Sequence, residues 1–170
     1  MTKLHEIIAD LVQASNGQLV GRVRLQKIVY LLDHKGLNSG AAYYYHHYGP
    51  YSEDVWDAVA DAKFFEGLKE EVNPTEPMPS SIFSLKGTRQ LGSYIGNLEV
   101  SETVALLTKL RHVNSTVLEL AATIHWLVFV EKVSDWRAEI ERRKAGKTGY
   151  GRLSAAMRLL QELKLAPQEA

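Results

Sequence analysis

Within the stretch HHYGPYSEDVW stand His46, His47, Tyr48, Tyr51 and Ser52, with Tyr43, Tyr44 and Tyr45 just ahead of them. Imidazoles beside a hydroxyl are the side chains of a nucleophilic site, where a base activates a serine and a third group orients the base. They are equally the side chains of a metal site. Either chemistry needs a particular spacing as well as these residue types. Ser52 directly precedes Glu53, Asp54 and a helical apolar pattern, the position where a serine caps a helix. No Gly-x-Ser-x-Gly elbow occurs in the chain. The six histidines, His5, His34, His46, His47, His112 and His125, include no His-x-x-x-His pair on one helix. Adjacent histidines on a strand point to opposite faces, so His46 and His47 are not placed to share an ion. His125 lies in an apolar run and reads as a core histidine. The lone Gly-x-Gly of Gly149 and Gly151 reads as a helix break, not a phosphate loop. The expectation is an architectural stretch, with no catalytic residue, no metal and no cofactor.

The elements around it follow from periodicity. Leu4, Ile7, Ile8, Leu11 and Val12 lie on one helical face, with Thr2 in the capping position. Leu25, Ile28, Val29 and Leu32 form a second stripe, closed by Gly36. AYYYHHY favours a strand, and Gly49-Pro50 signals a turn. Ser52 caps a third helix on the stripe Val55, Ala58, Val59 and Ala62, which ends at Gly67. LKEEV and SIFSL read as two strands around the proline-rich tip NPTEPMPSS, and KGTRQLGSYI predicts a short helix. Ser101 caps a helix to Val113, Asn114 or Ser115 opens an apolar helix to Val130, and Ser134 opens one with Trp136 and Ile140. Leu153, Met157, Leu160 and Leu163 mark the last.

Three helices followed by strand, loop and strand is the element order of a winged helix-turn-helix, with the wing at about residues 68–86. The predicted fold is α+β, mostly α. One domain spans 1–170, with a winged-helix-like part over 1–98 and a helical part over 99–170.

Composition narrows the function classes. The chain has 170 residues, 45% apolar and 24% charged, as ordinary globular domains do. Twenty Lys and Arg balance twenty Asp and Glu, so no net charge draws it to nucleic acid or an anionic membrane. With no cysteine there is no disulfide and no thiolate chemistry, which suits the cytoplasm. The most apolar run, Thr116–Val130, is shorter than the roughly 20 residues that cross a bilayer, and it carries Glu119 and His125.

LQKIVYLL at Leu25–Leu32, HYGPYSEDV at His47–Val55 and FSLKGTRQL at Phe83–Leu91 resemble, in order, the YwgA-like and SocA-like group of bacterial, archaeal and phage proteins, also called Panacea. LELAATIHWL at Leu118–Leu127 is a weaker echo. The resemblance implies a helical fold with a small hairpin. It also implies a role as antitoxin or adaptor, with a protein partner such as a toxin or a protease or chaperone client, and an association with phages or mobile elements.

Charge separates the two binding readings. The third helix, which reads DNA in a winged helix, carries Glu53, Asp54, Asp57, Asp61 and Glu66 against Lys63 alone. Acids facing phosphates repel a duplex. The expected partner-binding residues are therefore Tyr43, Tyr45, His47, Tyr48, Tyr51, Glu53, Asp54, Asp57 and Asp61, on a non-enzymatic regulator that binds another protein. The alternative is a DNA-binding transcriptional regulator using Arg22, Arg24, Lys27, Arg142, Arg143 and Lys144.

Overall fold

A computed structural model describes residues 1–74 and 77–168 of the chain. Helix α1 covers Leu4–Ala14 and buries Ile7, Ile8, Leu11 and Val12. Its cap is Lys3, not Thr2: the Lys3 amide donates to Glu6 Oε2 at 2.8 Å, so the acid of the first turn fixes the start. Asn16 and Gly17, both at positive φ, turn the chain into a short strand β1, Gln18–Val20. Three residues are too few for an alternation to show in sequence.

Helix α2, Arg22–His34, lies at the centre. Every residue from Leu25 to Leu32 is buried, so it is enclosed on all sides rather than along the one predicted stripe. Gly36 ends it as expected, at φ +107°. The Leu37 amide reaches back to the Leu32 carbonyl at 2.9 Å and the Gly36 amide to that of Asp33 at 3.1 Å. That pair of bonds is the Schellman arrangement, open to glycine because it has no Cβ.

Strands β2, Tyr44–His46, and β3, Gly49–Tyr51, form an antiparallel hairpin in which His46 faces Gly49 and Tyr44 faces Tyr51. The turn is therefore His47-Tyr48, and Gly49-Pro50 lies in the strand after it. Proline is tolerated there because this two-stranded sheet leaves β3 an open edge. Ser52 caps α3, Glu53–Phe65, accepting from the Val55 amide at 3.3 Å, and Val55, Ala58, Val59 and Ala62 are buried as predicted.

Strands β4, Leu68–Asn73, and β5, Ser80–Leu85, form the wing. With β1 they make one antiparallel sheet in the order β1-β5-β4. Thr75 and Glu76 of the proline-rich tip lie outside the described residues. The helix predicted over KGTRQLGSYI does not form. The segment runs irregularly to a two-residue hairpin, β6 Tyr94–Ile95 and β7 Leu98–Glu99. Gly87 and Gly92 weaken a helix here. Arg89 instead ties the chain to α1 and α3, its amide donating to Gln13 and its guanidinium to Asp10 and Glu66.

Four more helices follow: α4 Val100–Leu110, α5 Ser115–His125, α6 Trp136–Lys144 and α7 Arg152–Glu162. Glu99 precedes α4 where Ser101 was expected as cap, and Asp135 caps α6 in place of Ser134, accepting from the Ala138 amide at 3.2 Å. Asn114 caps α5 as expected. The end of that apolar helix, Trp126–Val130, widens into a π turn. The architecture is thus α+β and mostly α, with α1, α2, α3 and the β1-β5-β4 sheet in winged-helix order. One cluster of buried side chains runs from Ile7 to Leu163 and joins this part to α4–α7. No single helix among the described residues is long and apolar enough to cross a membrane.

Candidate functional site

The hairpin β2-β3 lies between α2 and α5, and three elements hold it by its backbone. Gln26 of α2 is buried and bonds Ser52 twice, its amide nitrogen to the Ser52 carbonyl at 2.8 Å and its oxygen to the Ser52 amide at 2.9 Å. Lys27, 1% exposed, donates to the Pro50 carbonyl at 2.5 Å. Lys144 of α6, 4% exposed, donates to the His47 carbonyl at 2.6 Å. A buried carbonyl must find a donor, and here side chains supply what a third strand would supply in a larger sheet. Gly49 packs against α5 so closely that an added Cβ would sit 2.5 Å from Thr123 Oγ1.

Glu119 of α5 is the counter-charge. Its carboxylate accepts from Lys144 at 2.7 Å and from Lys147 at 2.9 and 3.0 Å. Lys27 feels the same carboxylate but makes no hydrogen bond to it. Burial lowers its pKa to about 7; the Glu119 charge opposes the shift, and Lys144 and Lys147 add to it.

A cavity of about 300 Å³ opens beside this clasp, lined mainly by Lys27, His46, Tyr51, Trp56, Val23 and Arg22. The Arg22 guanidinium lies over the Trp56 ring, 4.4 Å from its centroid, and is bonded to Glu70 at 2.6 Å. Burial pushes the Glu70 carboxyl up, but bonds from Arg22, Lys63 and Ser81 outweigh it and hold its pKa at about 2. His46 Nδ1 is buried without a hydrogen-bond partner among the described residues.

The expected tyrosine surface is split by the strand's alternation. Tyr43 turns inward, packs edge-on against Tyr30 at 5.1 Å and donates to Asp33 at 2.6 Å; burial and that carboxylate raise its pKa. Tyr45 lies under Arg143, 4.6 Å from ring centroid to guanidinium. Tyr44, His46 and Tyr51 share the other face, with ring separations of 5.2 to 6.2 Å. Tyr48 and His47 are exposed at the turn, with Lys147 4.9 Å over the Tyr48 ring. Because His47 is in the turn and not on the strand, its ring comes within 5.0 Å of that of His46, where opposite faces were expected. Among the described residues no group of three or more His, Asp or Glu side chains is placed to hold a metal.

The acidic helix keeps four of its five acids on the surface. Glu53, Asp54, Asp57 and Asp61 are exposed, whereas Glu66 faces α1 and accepts from Arg89 and from His5. Phe64, 83% exposed, and Phe65, 63% exposed, continue this face.

The basic residues of the nucleic-acid alternative are mostly spent inside the molecule. Lys27 and Lys144 are buried and cannot reach a phosphate. Arg24 donates to the carbonyls of Val20, Leu110 and Val113. Arg143 is held by Glu131 and Glu139, and Arg142 by Glu139. Of these six residues, only Arg22 and Arg142 present exposed guanidinium groups. A buried carboxylate and the hairpin carbonyls of His47 and Pro50 draw the two lysines in.

Gln26, Trp56, Glu119 and Lys147 were missed in sequence. A lone Lys27 inside an apolar stripe, and a lone Glu119 inside an apolar run, were the available signals, since a buried charge needs a partner. His125 is the satisfied core histidine that was expected, its Nδ1 2.8 Å from the Tyr30 hydroxyl.

Fold and site together define an α+β protein of winged-helix order whose third helix is acidic. No protein-family model matches the chain, and no curated protein matches it either.

Proposed function

We propose that the protein is a non-enzymatic cytoplasmic regulator that binds another protein, antitoxin-like or adaptor-like in the manner of the SocA-like group it resembles. The observation that carries this reading is the exposed face of α3, where Glu53, Asp54, Asp57 and Asp61 run into exposed Phe64 and Phe65. Such a face suits a partner that offers basic side chains around an apolar socket. Charge then steers the encounter, and the aromatic pair provides area to desolvate. A duplex would meet repulsion on the same face.

Asp57 and Asp61 are the residues to reverse. Asp54 is less suitable, because its carboxylate also accepts from the Ala42 amide at 2.8 Å. The protein should be purified from its host, and its copurifying partner identified and titrated at several salt concentrations. Asp57→Lys with Asp61→Lys should slow association about tenfold or more, and the wild-type rate should fall as salt rises. Tight, salt-sensitive binding of the wild type to duplex DNA, strengthened by the added lysines and with no protein recovered, would replace this reading with the transcriptional regulator.

A further inference from the structure

Lys27 is more than a clasp in its surroundings. It is among the most buried side chains in the protein, yet it lines a cavity whose mouth is marked by two exposed residues, Arg22 and Tyr48. Its one hydrogen-bond acceptor among the described residues is the neutral Pro50 carbonyl. The nearby carboxylate of Glu119 is already taken by two other ammonium groups, those of Lys144 and Lys147. An amine so placed gains little from carrying a proton, and its pKa of about 7 reflects first its burial. A neutral amine keeps a lone pair that an ordinary surface lysine lacks at pH 7. Beside it stand aromatic walls, Trp56 and Tyr51, and the unpartnered Nδ1 of His46.

We propose that Lys27 captures a small aromatic aldehyde in this cavity as a reversible imine. The amine nitrogen adds to the carbonyl carbon, and a proton passes from nitrogen to oxygen to give the carbinolamine. His46 Nδ1 offers that oxygen a hydrogen-bonding partner. Loss of water then leaves the carbon–nitrogen double bond, and hydrolysis reverses it. No oxidant or reductant is consumed. A volume of about 300 Å³ accommodates a single substituted ring. A carboxylate on the ring would meet Arg22 at the mouth.

The test uses the intact wild-type chain with 4-formylbenzoate and sodium cyanoborohydride at pH 7. The reductant converts the imine to a stable secondary amine that peptide mass spectrometry locates. Lys27 should be modified at least about tenfold faster than exposed Lys69 and Lys132, because at this pH surface lysines are almost wholly protonated. Unreactive benzoate should protect Lys27 and leave Lys69 unaffected. Val23→Phe, which fills the cavity, should slow Lys27 alone; benzoate protection keeps the test decisive if that variant fails to fold. Modification of Lys69 and Lys132 with Lys27 untouched in the folded protein would overturn the proposal. So would Lys27 modification indifferent to benzoate, which would place the reaction outside the cavity. Neither outcome bears on the protein-binding reading, which rests on α3.

Discussion

The Lys144 ammonium lies 2.7 Å from Glu119 Oε1 with both side chains withdrawn from water, and it also bonds the His47 carbonyl 2.6 Å away. One ion pair thus joins α6 to α5 and fastens both to the hairpin turn. Its two ends are not equivalent. Among the described residues Glu119 is the only carboxylate bonded to Lys144 and Lys147, whereas Glu119 without Lys144 still keeps Lys147. Glu119→Gln should therefore destabilise the protein by about 3–5 kcal/mol, as removal of one member of a buried pair does, and Lys144→Met by clearly less. Urea unfolding of both variants measures the difference. Equal losses would mean that the pair behaves symmetrically and that Lys147 does not compensate.

Gly49→Ala should be among the most damaging small substitutions. The residue sits at φ +83°, which costs an L residue about 1–2 kcal/mol, and its Cβ would lie 2.5 Å from Thr123 Oγ1. Thr123→Ala removes the obstructing atom but leaves the backbone strain. The double variant should thus regain part, not all, of the lost stability. Thermal unfolding of the two single variants and the double variant gives the coupling directly.

The start of α3 tests whether HHYGPYSEDVW is architecture. Ser52→Ala removes the cap to the Val55 amide and should cost about 0.5–2 kcal/mol. Gln26→Ala strands the buried amide and carbonyl of Ser52 together, at about 1–3 kcal/mol for each unsatisfied group. Gln26 should then prove the costlier loss in chemical denaturation. An activity abolished by Ser52→Ala at unchanged stability would return Ser52 to the catalytic role that its neighbours first suggest.

Stability should rise with pH above neutrality. Lys27 titrates near 7 in the folded chain and near 10.5 unfolded, so between those values the unfolded state holds the extra proton. Raising the pH then favours folding, by up to about 1.4 kcal/mol per unit for one such group. Burial lowers Lys144 as well and adds slope of the same sign. Above about 10 the trend reverses, because Tyr30 and Tyr43 resist ionisation when folded. On the acid side, burial and the neighbouring His34 lower His125 to about 4, so stability falls as pH drops from 6.5 to 4. Denaturant midpoints across this range check the curve. Lys27→Met should flatten its rise between about 7 and 9.5, leaving the smaller Lys144 part.

Local rules settled much of this molecule from the sequence alone. The stripe Val55, Ala58, Val59 and Ala62 is buried, Ser52 and Asn114 cap their helices, and Gly36 and Gly67 end theirs, because periodicity, capping and left-handed turns involve only neighbouring residues. The wing strands and the acidic face of α3 were legible for the same reason. Tertiary contact decided the rest. Arg89 finds Asp10 and Glu66 far along the chain and draws a predicted helix into an irregular segment. Pairing with β2 places Gly49 and Pro50 in a strand, although their residue types signal a turn. Lys27, Glu119 and Lys144 stand far apart in sequence, and nothing local says that a lysine will leave water for a carbonyl 23 residues away or a carboxylate 25 residues away. Where a charge ends up depends on which distant group desolvates with it, and only the folded chain brings the two together.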